Sequence, residues 1–494
     1  MLRLIILTVL VAPSSSVSVG RILHFSDVHL NISDGLTTEN LPFSIRYFQD
    51  ASLPLFESAL QYAKQHVVAD PDLFLYTGDH AVHGLFTDAY ISEAVKTNVH
   101  VMEKYYKQKS WNGLQDVTAI IGNADANPDY HMELTNPEME TNPSIELISN
   151  AWKDSLSAAN MDLFNRRGYL TYALDDKLEV ITLNTVPYSP SHLPDSSEQP
   201  DPFGQFAWLD KTLAKLQSSG KFAYIAGHIA PIVDSYGGDP QWHPKYIVKY
   251  KNIVGKYAHV VKGQFFGHVH MIEFRVPVPS LEIPTEADST FQLMPMYISG
   301  AISPIFGNNP SFIVWNYDPD TYDVLDYSVY SSNITESETQ LDWKLSFKAS
   351  EAYGLRSLSL SELSAFVRRA EQNVSLIENY HWNTWARSPN APPCKDSLCH
   401  VKAFCTLKWW TTKGEYLACI DSFQSKLPHD YMSVSRNDTP STVDYALSFK
   451  DVVGTIGETV VVIVAAISYV VFVGFMLQRA GILKNRSLYE TVDS

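Results

Sequence analysis

Five short segments carry side chains suited to divalent metals: Asp27-Val28-His29, Gly78-Asp79, Gly122-Asn123, Gly227-His228 and Gly267-His268-Val269-His270. Together they offer two carboxylates, an amide and four imidazoles. Two divalent ions need such a set when one carboxylate bridges them and a hydroxide lies between. Each piece alone arises by chance, so the weight lies in their occurring together and in this order. The mixed nitrogen and oxygen donors suit Zn²⁺, with Mn²⁺ or Fe²⁺ as alternatives. Ions about 3.5 Å apart acidify a shared water and grip phosphate oxygens, which favours in-line attack on phosphorus over acyl transfer. Imidazoles bind metal only when neutral, so occupancy is expected to fall with acidity.

Each segment follows directly on an apolar run, as strand-end loops do. Arg21 to Phe25, Leu73 to Tyr76, Val117 to Ile121, Leu178 to Leu183, Phe222 to Ala226 and Gln264 to Phe266 read as strands. Leu53 to Val67 and Phe206 to Leu216 read as helices, and the alternation predicts an α/β layered fold. Loops after strands gather along one sheet edge, so residues far apart in sequence converge there. Pro279 to Ser289 reads as an exposed insertion. Met296 to Ile302, Ser311 to Tyr317 and Asp323 to Tyr330 read as further strands, and Ser361 to Gln372 as a helix with Ser361 as its N-cap.

The length of 494 residues and 45% hydrophobic content suffice for one large core or two moderate ones. A formal net charge of −17 argues against general affinity for duplex nucleic acid or anionic membrane surfaces. Residues 1–20 read as a signal peptide: a short basic start, an apolar stretch, then small residues. Thr459 to Leu477 is free of charge and apolar on every face, and would span roughly 28 Å as a helix. Arg479, Lys484 and Arg486 follow it, which predicts a type I single-pass protein with its body outside the cytoplasm. The compartment expected is the cell surface or an endosomal, lysosomal or vacuolar membrane. Tyr489-Glu490-Thr491-Val492 has the form of a tyrosine-based sorting signal.

Cys394, Cys399, Cys405 and Cys419 cluster near the C-terminal end of the body and read as two disulfides with three possible pairings. Their spacing is not that of a zinc site. Asn31, Asn333, Asn373 and Asn437 begin glycosylation sequons on the lumenal side, while Asn485 lies past the membrane and should stay bare. Trp382, Trp409 and Trp410 are expected to pack around the disulfides.

From Arg21 to Cys419 the chain resembles the calcineurin-like metallophosphoesterases, and among them the acid sphingomyelinase-like phosphodiesterases. The resemblance implies Asp27, His29 and His270 as ligands of one metal, Asp79 as the bridge, and Asn123, His228 and His268 as ligands of the other. His83 stands where that branch carries an active-site histidine. Gly263 to His270, Tyr317-Asp318-Pro319, Trp343-Lys344-Leu345 and the four cysteines match its pattern, which implies pairs Cys394–Cys399 and Cys405–Cys419. The fold implied is a layered β-sandwich flanked by helices, with a small disulfide-stapled α-rich C-terminal subdomain and one transmembrane helix. The organisation expected is a catalytic domain over 21–335, the subdomain over 336–434, a linker over 435–458, the membrane span over 459–477 and a tail over 478–494. The substrate expected is a small-molecule or lipid phosphodiester, a phospholipid head group or a nucleotide.

Two departures qualify that picture. Ala124 stands where the family has a histidine that is not a ligand but assists the leaving group. Loss of a positioned acid costs on the order of 10²–10⁴ in rate. This leaves two alternatives: a metal-bearing receptor without turnover, or a hydrolase similar to the fungal endopolyphosphatases, which also lack the histidine. His80 and His131 are expected to be bystanders. Ala230 replaces a proline, a minor change. No saposin-like stretch precedes Arg21, so lipid extraction by a built-in domain is not expected.

Overall fold

The computed structural model describes residues 19–34, 45–106, 118–138, 140–278, 293–334 and 341–425. The expected signal peptide (its first eighteen residues), insertion, linker, membrane span, tail and Asn437 sequon lie outside the described residues. Among the described residues no helix is long and apolar enough to cross a membrane.

Among the described residues, twelve strands form two sheets. They are β1 (Gly20–Phe25), β2 (Leu73–Tyr76), β3 (Leu170–Ala173), β4 (Leu178–Thr182), β5 (Phe222–Ala226) and β6 (Val261–Phe266). After these come β7 (Glu273–Pro277), β8 (Met296–Ile298), β9 (Ser311–Tyr317), β10 (Val324–Ser331), β11 (Lys344–Lys348) and β12 (Lys408–Trp409). One sheet runs β11-β10-β9-β1-β2, the other β12-β7-β8-β6-β5-β4-β3. β1 and β2 are parallel, as are β4, β5, β6 and β8. The strands β1, β2 and β5 are almost wholly buried, the signature of strands covered on both faces.

The sheets face each other across an aromatic layer. Phe265 of β6 meets Trp315 of β9 at 5.3 Å and His24 of β1 at 6.2 Å between ring centroids. Tyr224 of β5 meets Tyr317 of β9 at 6.0 Å. Helices cover the outer faces. Leu53–Tyr62 buries Leu55, Phe56, Ala59 and Leu60, and Gln205–Ser218 buries Phe206, Leu209, Leu213 and Leu216. Both display the i, i+3, i+4 apolar spacing legible in the sequence.

Two local expectations are corrected. Thr118 to Ile121 is buried but joins no strand ladder; instead the Thr118 hydroxyl donates to the Phe74 carbonyl at 2.9 Å. The helix expected from Ser361 runs Leu360–Ala370 and is capped by Ser359, whose hydroxyl accepts from the Glu362 amide. Glu362 is engaged by Arg356, so no reciprocal capping box closes.

The disulfides are Cys394–Cys399 and Cys405–Cys419, as the family resemblance implies. Their region does not stand apart. β12 pairs with β7, and Val401, Phe404 and Cys405 share the main core with β1 and β9. Trp409 and Trp410 are buried there, with the Trp410 indole donating to the Cys405 carbonyl at 2.8 Å. Trp382 departs from expectation: it is 47% exposed.

Candidate metal centre

The loops after β1, β2, β5 and β6 converge with the segment after Ile121. Asp27, His29, Asp79, His268 and His270 all take left-handed backbone angles, with φ of 50°, 47°, 58°, 75° and 56°. Such angles cost roughly 1–2 kcal/mol per non-glycine residue and cluster at functional sites. Main-chain bonds hold them. The Asp27 and His29 amides donate to the Gly78 and Asp79 carbonyls, each at 3.1 Å, and the His268 amide donates to the Asp27 carboxylate at 3.0 Å.

Asp79 lies at the middle. Its Oδ2 is 3.3 Å from His29 Nε2 and 3.0 Å from His228 Nε2, while its Oδ1 accepts the Ala124 amide at 2.8 Å. On one side, His29 Nε2 lies 3.1 Å from His270 Nε2, which is 3.5 Å from Asp27 Oδ1. On the other, His228 Nε2 lies 3.0 Å from Asn123 Oδ1 and 3.2 Å from His268 Nδ1. All seven residues expected to hold metals are thus brought together, and His83 with them.

The tautomers follow from the partners. His29 Nδ1 faces the Ala81 carbonyl at 3.0 Å and His228 Nδ1 the Thr77 carbonyl at 2.7 Å. A carbonyl only accepts, so each Nδ1 carries the proton and each Nε2 presents its lone pair to the centre. His268 Nε2 faces Gln241 Oε1 at 3.0 Å, which turns its Nδ1 inward in the same way. Lone pairs at such distances repel unless a proton or a cation lies between them. The donor set therefore fits two divalent ions, Asp27, His29, His270 and Asp79 offering atoms to one and Asp79, Asn123, His228 and His268 to the other.

Electrostatics agree. Burial opposes charge on both Asp79 and His29, but their mutual attraction wins. Asp79 is held well below the usual carboxylate range, and His29 and His228 are pushed up to about 10 and about 9. Burial, with His228 alongside, takes His268 down to about 3, and burial with His29 takes His270 well below its ordinary value. Asp27 is raised by burial to about 6. Positive charge is thus drawn to the two imidazoles flanking Asp79, where protons and cations compete for the same nitrogens.

His83 stacks on His29 at 3.6 Å between ring centroids, and its Nδ1 lies 3.0 Å from Asp50 Oδ1. Asp50 also accepts the His83 amide at 2.9 Å and the Ser303 hydroxyl at 2.9 Å. Burial would raise the Asp50 carboxyl, yet His83 keeps it below the ordinary value. The sequence reading missed Asp50, which follows no apolar strand, and it missed Asp129. Burial pushes Asp129 up to about 7, its electrostatic neighbours are His83 and Asp79, and its Oδ1 has no hydrogen-bond partner among the described residues. His80 is fully buried with its Nδ1 2.8 Å from Asp125 Oδ2. His131 lies in a main-chain bridge to Leu193.

Residues 20–271 match the calcineurin-like phosphoesterases, and residues 287–426 match the acid sphingomyelin phosphodiesterase C-terminal region. The chain belongs to the calcineurin-like phosphoesterase family and is a metal-dependent phosphodiesterase of the acid sphingomyelinase-like kind, a fold class that implies two metal ions. A Dictyostelium discoideum sphingomyelinase phosphodiesterase D is 27% identical over 320 residues, covering 64% of this chain and 69% of that protein. A human acid sphingomyelinase-like phosphodiesterase 3b is 25% identical, covering 79% and 88%. A Bos taurus cyclic GMP-AMP phosphodiesterase is 23% identical, covering 74% and 83%.

Proposed function

We propose that this chain hydrolyses small phosphodiesters or pyrophosphates, in phospholipid head groups or nucleotides, at a two-zinc centre held on the lumenal side of a membrane. The observation that carries the reading is the locking of His29, His228 and His268 in tautomers that aim a lone pair into one space beside Asp79. The activities for which the relatives are named, on sphingomyelin-type lipids and on cyclic GMP-AMP, support a phosphodiester substrate.

A bound pair of zinc ions supplies the Lewis acidity that activates water and polarises the phosphate. The chain does the rest. Asp27, His29, Asp79, Asn123, His228, His268 and His270 hold the pair. Asp50 holds His83 through Nδ1, and in this reading His83 serves as the group that hands a proton to the leaving oxygen. Asp129 offers a second acidic group on the same side. These two groups favour turnover despite Ala124, whose amide still braces Asp79.

The test is hydrolysis of a chromogenic phosphodiester by the purified full chain, with chelator abolishing activity and Zn²⁺ restoring it. Bound zinc without turnover across roughly pH 4–8, where imidazole titrates, would select the receptor reading, and activity created by Ala124→His would clinch it. Polyphosphate cleaved in preference to nucleotides would select the endopolyphosphatase-like reading. The signal peptide and type I anchor are part of the proposal. A chain ended at Ser425 should be secreted, whereas the full chain should sediment with membranes. Asn333 and Asn373 are exposed, which suits the proposed glycans.

A further inference from the structure

Behind Asp27 lies a buried line of polar groups that the ligand set does not explain. Trp315 Nε1 is 3.2 Å from His24 Nδ1, and His24 Nε2 is 2.9 Å from Thr77 Oγ1. The Thr77 hydroxyl donates to Ser26 Oγ at 2.6 Å, and the Ser26 hydroxyl donates to Asp27 Oδ2. His24, Ser26, Asp27 and Thr77 are fully buried, and Trp315 very nearly so.

The two ends fix the direction. An indole N–H can only donate and an ionised carboxylate can only accept. His24 Nδ1 must therefore accept, which places its proton on Nε2, and Thr77 and Ser26 can each pass their hydrogen only toward Asp27. Every hydrogen in the line points the same way. Gly267 roofs it: a Cβ there would lie 2.1 Å from Ser26 Oγ and 2.6 Å from Asp27 Oδ2. Thr77 also serves the far side of the centre, because its carbonyl fixes the His228 tautomer.

We infer that Trp315, His24, Thr77 and Ser26 form a one-way hydrogen-bond relay into Asp27 Oδ2 that fixes the carboxylate in place for the first metal, making His24 a positioning residue of that site. Oδ2 takes the Ser26 hydroxyl, Oδ1 faces His270 Nε2, and the two oxygens share the His268 amide. With the relay broken, Ser26 can turn away, Asp27 can rotate, and the first ion loses a preset ligand. The second ion is reached only indirectly, through the His268 amide that Asp27 also accepts, and should lose less.

The inference rests on the two-metal reading, and the test separates the two. Zn²⁺ affinity of the purified full chain is measured by chelator competition, and Co²⁺ absorption reports the coordination of each site. Wild type that binds no metal overturns the two-metal reading itself. With wild type binding two ions, His24→Leu and Thr77→Val should each weaken one of them about 10–100-fold, as loss of outer hydrogen bonds to metal ligands does. The other ion should be weakened less, and the double variant should be no worse than either single one. His24→Gln, whose amide can accept from Trp315 and donate to Thr77, should restore most of the affinity. Unchanged affinities, losses that multiply in the double variant, or no rescue by Gln would overturn the relay. If His24→Leu and Thr77→Val fail to fold, Trp315→Phe keeps the ring and deletes only the terminal donor. It should weaken the same ion to a smaller degree, and wild-type affinity in it would overturn the relay.

Discussion

Gly122→Ala should disable the centre without replacing a single ligand. A Cβ on Gly122 would sit 2.0 Å from Asp79 Oδ1, 2.2 Å from the Asp79 amide nitrogen and 2.7 Å from its Cα. Comfortable contacts begin near about 3.5 Å, so one of the two loops must move by roughly 1.5 Å. Asp79 has little freedom to yield, because its carbonyl accepts from Tyr76 Oη and from the His29 amide, each at 3.1 Å. Overpacking of this kind costs about 1–3 kcal/mol of stability. A 1 Å error in a catalytic group costs on the order of 10²-fold in rate. Activity should thus fall about a hundredfold, with fewer than two ions bound per chain, while the protein remains folded. The assay is steady-state hydrolysis of a chromogenic phosphodiester, with metal counted by mass spectrometry on the same sample. Gly220→Ala is the control. Its φ is +67° and nothing lies within 4 Å of the added carbon, so it should cost stability through backbone strain alone. A Gly122→Ala protein with wild-type turnover and two ions would refute the reasoning.

Asp50→Asn should lower kcat by about 10²–10⁴ with both ions retained, because His83 loses the partner that orients it. The loss should be larger for an alkoxide leaving group than for a nitrophenolate, and equal losses would argue against proton delivery. His24 gives a pH prediction: burial lowers it from 6.5 to about 3, so below pH 6.5 the unfolded chain takes up a proton that the folded chain refuses. That contribution is intact above pH 6.5 and is lost as pH falls toward 3, at roughly 1.4 kcal/mol per unit. Urea midpoints measured from pH 7 to 4 should fall more steeply for wild type than for His24→Gln, and parallel curves would contradict it. Stripping metal with chelator should lower the melting temperature in a way that Zn²⁺ reverses, since ligands that bind only the native state stabilise it.

The sequence showed the centre more fully than it showed the groups that serve it. Strand-end loops announce themselves through an apolar run followed by Gly-Asp, Gly-Asn or Gly-His, so all seven ligand candidates could be found. The segment before Asn123 was read as a strand leading to a ligand candidate but forms no strand, since burial of Thr118 to Ile121 produces the same apolar run as pairing does. Ser359 was passed over as an N-cap because Ser361 offered the same chemistry two residues later. Asp50 and Asp129 carry no local signal at all. Their roles depend on which histidine the fold sets against them, a fact of tertiary contact that spacing cannot encode. His24 reads as one more residue of an apolar strand; only the Trp315 indole, 291 positions away, shows it to be part of the polar line.

The most direct test is anomalous diffraction at the zinc edge from crystals of the purified protein. Two peaks on either side of the Asp79 carboxylate, one against His29, His270 and Asp27 and the other against His228, His268 and Asn123, are the predicted result. A fully folded protein with no peak between these side chains, or with its only metal elsewhere, would contradict the account.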